Sequence, residues 1–186
     1  SHIGETSFWD IEKISRKPFI ASHSSVHKIC PHFRNLHDDQ IIAIRNNKGL
    51  IGINPYPFFI DPTFKEREST ARNQYKEKIK SIEIQYPKKS SQWLAKQHFF
   101  QKELANVCPD LDIFIDHMEY IIKLAGIDYV GVGSDYDGLD CLPKDWNDCR
   151  DHIKIAQRLE SRGYRQEEIE KVMGKNILRV LEEINY

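Results

Sequence analysis

Tyr129-Val-Gly-Val-Gly-Ser-Asp-Tyr-Asp-Gly138 sets the reading of the whole chain. Its first half is a short apolar run of the kind that forms a strand covered on both faces, and its second half turns abruptly polar. Two other stretches repeat that pattern: Pro18-Phe-Ile-Ala-Ser22 runs into His23-Ser24-Ser25, and Leu50-Ile-Gly-Ile53 ends at Asn54. Helical segments lie between and after them. Asp38 and Asp39 stand as capping acids ahead of Gln40-Ile-Ile-Ala-Ile-Arg45, which stops near Asn46, Asn47 and Gly49. Over Leu111 to Leu124, Leu111, Phe114, Ile115, Met118, Ile121 and Ile122 recur at helical spacing, and Gly126 ends the run. A helix is expected over 91–107, with Trp93, Phe100 and Leu104 as apolar marks. Three more are expected near 146–161, 165–173 and 175–184, punctuated by Gly163 and Gly174.

Strands separated by helices imply βα units and a parallel sheet. Such a unit takes roughly 30 residues or more, and a complete (β/α)8 barrel about 200 to over 400. Three strands, with the tail of a fourth before His2, therefore make an α/β chain that is either half of a barrel or a small open sheet. Residues 62–90, rich in Lys, Glu, Arg, Gln and Ser, read as a solvated helix or a mobile insertion within a single domain spanning 1–186.

The 186 residues carry 27 Lys plus Arg against 28 Asp plus Glu. That balance gives no broad electrostatic attraction for nucleic acid and no polybasic membrane patch. With 40% hydrophobic and 11% aromatic residues there is material for a core. No apolar run reaches the roughly 18 residues a membrane span needs. Ser1 to Arg16 shows no basic region followed by an apolar stretch. Cys30, Cys108, Cys141 and Cys149 are too scattered for a disulfide framework and read as free thiols of a reducing, cytoplasmic compartment.

The polar residues that follow the three strands are the candidates for chemistry, because parallel α/β folds place their sites at the C-terminal strand ends. His23 is a metal ligand or a buried histidine satisfied by serines. His2, 21 residues earlier, is a second ligand from the neighbouring strand or the residue of a cleaved tag. Asp135 and Asp137 lie on the same side of the chain, and either could ligate a metal, carry a proton or shape a turn. Asn54 joins this group as a polar strand end. Arg34, in the loop after His23, is a carboxylate clamp or a solvated side chain. His27, His32 and His37 crowd that loop without an assigned role. His98, His117 and His152 read as packing or surface residues.

Pro18-Phe-Ile-Ala-Ser-His-Ser-Ser25, Cys30, Arg34-Asn35, Asp38-Asp39, Gly52-Ile-Asn54, the segment from Asp116-His117 to Ala125-Gly126, Val130-Gly-Val-Gly-Ser-Asp-Tyr-Asp-Gly138 and Asn176-Ile-Leu-Arg-Val180 together resemble the renal, or membrane, dipeptidase family of zinc peptidases. The resemblance covers nearly the whole chain. It implies a (β/α)8 barrel of the metal-dependent hydrolase type with two zinc ions, hydrolysing dipeptides. It also implies that His2 and His23 hold one zinc, that Arg34 receives the substrate carboxylate, and that Asp135 shuttles the proton. The separation of His2 from His23 fits the family, which favours a native His2. The family's early His-x-Asp pair, bridging glutamate and further substrate-binding histidine have no counterpart, so the chain corresponds to the C-terminal half of the barrel. A pocket tyrosine of the family is replaced by Phe59, with Tyr56 nearby as a substrate-binding candidate.

The expected chemistry is attack on a peptide carbonyl by zinc-bound hydroxide, since zinc lowers the pKa of its water to about 7. Zinc usually takes four ligands, so two histidines alone predict weak binding and no activity without the N-terminal half of the barrel, covalent or separate. A homodimer is a further possible assembly. The competing readings are a non-catalytic barrel relative that binds a small ligand, and another barrel amidohydrolase acting on cyclic amides.

Overall fold

In the computed structural model, which describes residues 1–103 and 105–185, three short parallel strands form one sheet in the order β1 (Ile20–Ala21), β2 (Leu50–Ile53), β3 (Val130–Val132). Ile20 pairs with Leu50, Ala21 with Ile51, and Ile51, Gly52 and Ile53 with Val130, Gly131 and Val132. Each strand falls on one of the three apolar runs, and each ends where the polar residues begin. Gly52 and Gly133 let the strand ends close up. A methyl group at either position would lie 2.4 or 2.3 Å from the carbonyl oxygen of Ser22.

The helices are α1 (Glu5–Ile14), α2 (Asp38–Asn46), α3 (Pro57–Ile60), α4 (Phe64–Gln74), α5 (Lys76–Gln85), α6 (Lys89–Glu103), α7 (Leu111–Ala125), α8 (His152–Ser161), α9 (Gln166–Glu170) and α10 (Asn176–Asn185). The principal core lies between the sheet and α2, α7 and α8, with Ile41, Ile44, Ile51, Ile53, Phe114, Ile115, Met118, Ile121 and Ile155 fully buried. α7 presents the apolar face read from its periodicity. α1 has no sequence signal at its start: Gly4 caps it without a side-chain hydrogen bond, and Phe8 is its one buried residue. No strand is described before His2. Residues 62–90 contribute α4, α5 and the start of α6, in which Phe64, Glu68, Ala71 and Ile82 are buried. The helix expected from 146 begins at His152, after a single 3-10 turn over Cys149–Asp151. Leu104 lies outside the described residues. No described helix is long and apolar enough to cross a membrane.

Two polar side chains tie the elements together. Asn176, 3% exposed, donates from its amide to the carbonyls of Ile127 and Val130, both at 2.8 Å, and so fixes the entry into β3. His117, fully buried in α7, accepts from the Val26 amide at 3.0 Å through Nδ1 and reaches the Ile60 carbonyl at 3.0 Å through Nε2. It thereby joins the loop after β1 to the end of α3. Only a neutral ring with its proton on Nε2 satisfies both bonds. Burial pushes its pKa down to about 4, partly offset by the Ile60 carbonyl and Asp116.

Two outcomes follow from these ties. Asn176→Ala leaves two buried carbonyls short of a donor and should cost about 2–4 kcal/mol in urea denaturation; a loss below about 1 kcal/mol would show that the carbonyls find other partners. For His117, the unfolded chain binds the proton below about pH 6.5 while the folded chain holds out to about pH 4. Its contribution is therefore complete above pH 6.5 and is lost as pH falls toward 4, by up to about 3 kcal/mol. His117→Gln should flatten the stability profile in that window, and an unaltered profile would refute the assignment.

Candidate active site

The start of the chain and the end of β1 meet at two imidazoles. Nε2 of His2 and Nε2 of His23 are 2.7 Å apart, with ring centroids separated by 4.8 Å. Ser1 steers this approach, its hydroxyl accepting from the His23 amide at 3.0 Å and bonding the Ser24 hydroxyl at 2.8 Å. His2 takes a left-handed backbone conformation, φ 63°, which a residue with a Cβ adopts only when its surroundings hold it there.

Arg34 fixes the protonation pattern of the pair. Its Nη1 lies 3.1 Å from His2 Nδ1, and a guanidinium can only donate. His2 Nδ1 therefore accepts, the proton of the neutral ring sits on Nε2, and Nε2–H points at His23 Nε2. His23 in turn carries its proton on Nδ1 and donates to the Ser22 hydroxyl at 2.9 Å. The guanidinium carbon stands 5.4 Å from the centre of the Phe59 ring. Nη2 of Arg34 is buried and has no hydrogen-bond partner among the described residues. Such a donor costs about 1–3 kcal/mol or more when it stays unpaired, so the arrangement calls for an acceptor.

Asp135 follows β3 by three residues and sits at φ 53°, also left-handed. Its Oδ2 accepts from Asn54 Nδ2 at 3.1 Å. Asn54 is fully buried. Its Oδ1 accepts from the Tyr56 amide at 2.8 Å, and its carbonyl accepts from the Ser25 hydroxyl at 2.9 Å. This one residue braces the C-terminal ends of all three strands. The field of Asp135 reaches His23: burial lowers the His23 pKa, Asp135 opposes that, and Arg34, His2 and the α-amino group add to it. Burial and Arg34 likewise lower the pKa of the Ser1 amine.

His2, His23, Arg34, Asn54 and Asp135 thus come together as one connected group. Tyr56 points elsewhere. Its ring meets those of Phe58 and Phe59, and its hydroxyl bonds Asp140, with burial and Asp140 together raising its pKa. The side chain of Asp137 lies outside the described set. Sequence reasoning gave no role to Ser1, Ser22 or Asn35, because small polar residues in loops carry no periodic signal. A cleft of about 1020 Å³ runs beside β1, lined by His2, Ser24 and Arg34 at one end and by Phe8, Ile20 and Ile44 further along. His23 and Asp135 lie outside its lining.

The imidazole pair fits a divalent cation in part. Two nitrogens on a tetrahedral zinc stand about 3.3 Å apart, so the rings need to part by roughly 0.6 Å from the 2.7 Å seen here. Among the described residues no three His, Cys, Asp or Glu side chains converge on one point. The chain supplies two donors of a larger set.

Known proteins agree with this architecture. A protein of Klebsiella pneumoniae encoded in the pqqA 5' region is 28% identical over 184 residues, covering 99% of this chain and 53% of its own. Dipeptidase aclJ of Aspergillus oryzae is 27% identical over 186 residues, 100% of this chain and 34% of its own. The chain therefore spans about a third to a half of the length of these relatives. Among solved structures, a metallopeptidase from Rhodobacter sphaeroides, liganded with a phosphinate mimic of the dipeptide L-Ala-D-Ala, superposes with a TM-score of 0.72 at 23% identity over 98% of this chain and 41% of that one. The family model described as membrane dipeptidase, peptidase family M19, matches residues 1–186, and the chain belongs to that family of metallopeptidases.

Proposed function

We propose that this chain carries the zinc-binding histidines, the substrate clamp and the proton carrier of a dipeptide hydrolase. The observation that supports it is the convergence of two Nε2 atoms beside a guanidinium with a buried, unpartnered nitrogen. The phosphinate dipeptide mimic held by the Rhodobacter enzyme favours a dipeptide as the substrate. A bound zinc would supply Lewis-acid polarisation of the scissile carbonyl and a nucleophile at neutral pH.

The residues of the chain divide the remaining work. His2 and His23 would hold the metal through their Nε2 lone pairs, with the His2 proton on Nδ1. Arg34 now donates to that same Nδ1, and two donors cannot face each other. With a metal on Nε2, Arg34 would leave His2, and both of its terminal nitrogens would be free to take a carboxylate in two-pronged fashion. A guanidinium beside the imidazole pair would limit substrates to very short peptides. Asp135 accepts the proton released during attack and returns it to the leaving amine. Asn54 acts through Asp135 by holding Oδ2.

Zinc commonly takes four ligands, and both outer edges of the three-stranded sheet lack a strand partner among the described residues. We infer that further strands dock on those edges, from the same polypeptide or another, and bring the remaining ligands for two zinc ions. The 186 residues alone are then inactive and hold zinc weakly.

In the complete enzyme, Arg34→Ala should lower kcat/KM for dipeptides about 10- to 150-fold, mainly through KM, as expected for losing a charged hydrogen bond. Unchanged dipeptide kinetics would remove Arg34 from the site. Asp135→Asn should abolish turnover while metal analysis still finds zinc, and a fully active variant would end that assignment. Assays with dipeptides beside cyclic amides separate this reading from an amidohydrolase.

A further inference from the structure

A second group of reactive side chains lies in the packing around α4 and α6. Cys108 precedes α7, Cys141 follows the Asp135 turn, and each is 4% exposed. They share a small hydrophobic cluster with Phe64, Ala71 and Phe100. Both also line one cavity of about 90 Å³, together with Leu142, Lys144 and Trp146. The Cys108 and Cys141 thiols interact with each other, and Cys141 Sγ donates to Asp140 Oδ1 at 3.6 Å.

The surroundings of the two sulfurs are unequal. The interaction with Cys141 holds Cys108 below the ordinary thiol range against the effect of burial, and Arg67 and Lys144 add to the lowering. Arg67 is fixed next to Cys108 by donating to the Val107 carbonyl at 3.0 Å. Cys141 is pushed up by the same interaction and by burial, and Asp140 lies 3.6 Å from its sulfur. The pair thus favours the thiolate on Cys108 over that on Cys141, the order found in attacking and resolving cysteines.

We propose that Cys108 and Cys141 form a dithiol that a small peroxide oxidises to an intramolecular disulfide. The Cys108 thiolate attacks one oxygen of hydrogen peroxide. The O–O bond breaks, hydroxide leaves and is protonated to water, and Cys108 becomes a sulfenic acid. The Cys141 sulfur then attacks the Cys108 sulfur. The S–O bond breaks, and the departing hydroxide takes the Cys141 proton to give a second water. In sum, two thiols lose two protons and two electrons, and one peroxide is reduced to two waters. The cavity sets the oxidant class. About 10–15 Å³ of such space holds a water, so about 90 Å³ has room for hydrogen peroxide, while two cysteines each 4% exposed are screened from a bulky disulfide such as oxidised glutathione.

The test is peroxide treatment of the reduced, folded protein, followed by alkylation, digestion and mass spectrometry without reductant. Free thiols should fall from four to two, with a peptide pair linked through Cys108 and Cys141 and lighter by two hydrogens. Oxidised glutathione should leave Cys108 and Cys141 unmodified, whatever it does to exposed Cys149. Cys141→Ser should instead trap the sulfenic acid on Cys108 as a dimedone adduct. Oxidation confined to exposed Cys149, linkage through Cys30, or four surviving thiols in the wild-type protein would overturn the proposal. The wild-type measurement decides even if the variant does not fold.

Discussion

Backbone groups in a buried, irregular loop must find partners, because water is not there to supply them. Ser24, Ser25, Val26, Cys30, Asn35 and Leu36 are the buried part of such a loop, between β1 and α2, and the whole site hangs on how they meet that demand. Backbone pairs such as His27 to Leu36 and Leu36 to Ser25 meet part of it, and the Asn35 side chain meets three groups more. Its Oδ1 accepts from the Ser25 amide at 3.2 Å, and its Nδ2 donates to the carbonyls of Cys30 and Phe59 at 2.8 and 2.7 Å. His117 satisfies Val26 from the helix beneath. With the loop held at both ends of its turn, Arg34 has no choice of direction, and its guanidinium arrives between Phe59 and His2.

That placement explains why the electrostatics of the site form one sequence of donors and acceptors. The guanidinium cannot accept, so the order Arg34, His2, His23, Ser22 is settled from one end. Burial, Arg34 and the α-amino group all disfavour protonating His23, and Asp135 opposes them. The balance keeps an imidazole lone pair available near neutral pH, as a metal ligand requires. The close approach of Ser22 to Gly52 and Gly133 draws the three strand ends together, so residues far apart in sequence share one patch.

The strands were legible because each was an apolar run bounded by polar residues, and α7 because its apolar residues kept helical spacing over four turns. His2, His23, Arg34, Asn54 and Asp135 were legible as strand-end or loop residues of suitable chemistry. The direction of each side chain was not. Asn54 reads as one more polar strand end, yet its amide is committed to Asp135 and to the Tyr56 amide. His117 lies on an apolar helix face, where a histidine reads as packing. That it joins Val26 to Ile60 depends on two loops whose positions no local pattern encodes. α4 and α5 escaped a clear reading for the opposite reason: they bury few residues, so periodicity is faint.

The polar stretch from 62 onward is nonetheless bound to the site. Phe64, Ala71 and Phe100 build a second core with Cys108 and Cys141, and Tyr56 and Phe58 pack on it from the β2 side. Arg72 of α4 lies over the Phe100 ring at 3.9 Å and donates to Asp140 at 3.1 Å. Asp140 also takes the Tyr56 hydroxyl. The loop that begins at Asp135 is therefore gripped twice, by Asn54 at its start and by Arg72, Tyr56 and the cysteine pair further along. A change in α4 that loosened Arg72 would act on the Asp135 loop without touching the imidazoles. An added bond between Cys108 and Cys141 would stiffen that loop from the same side. The strand ends place the chemistry, and this outer helical layer determines how firmly the acid is held against it.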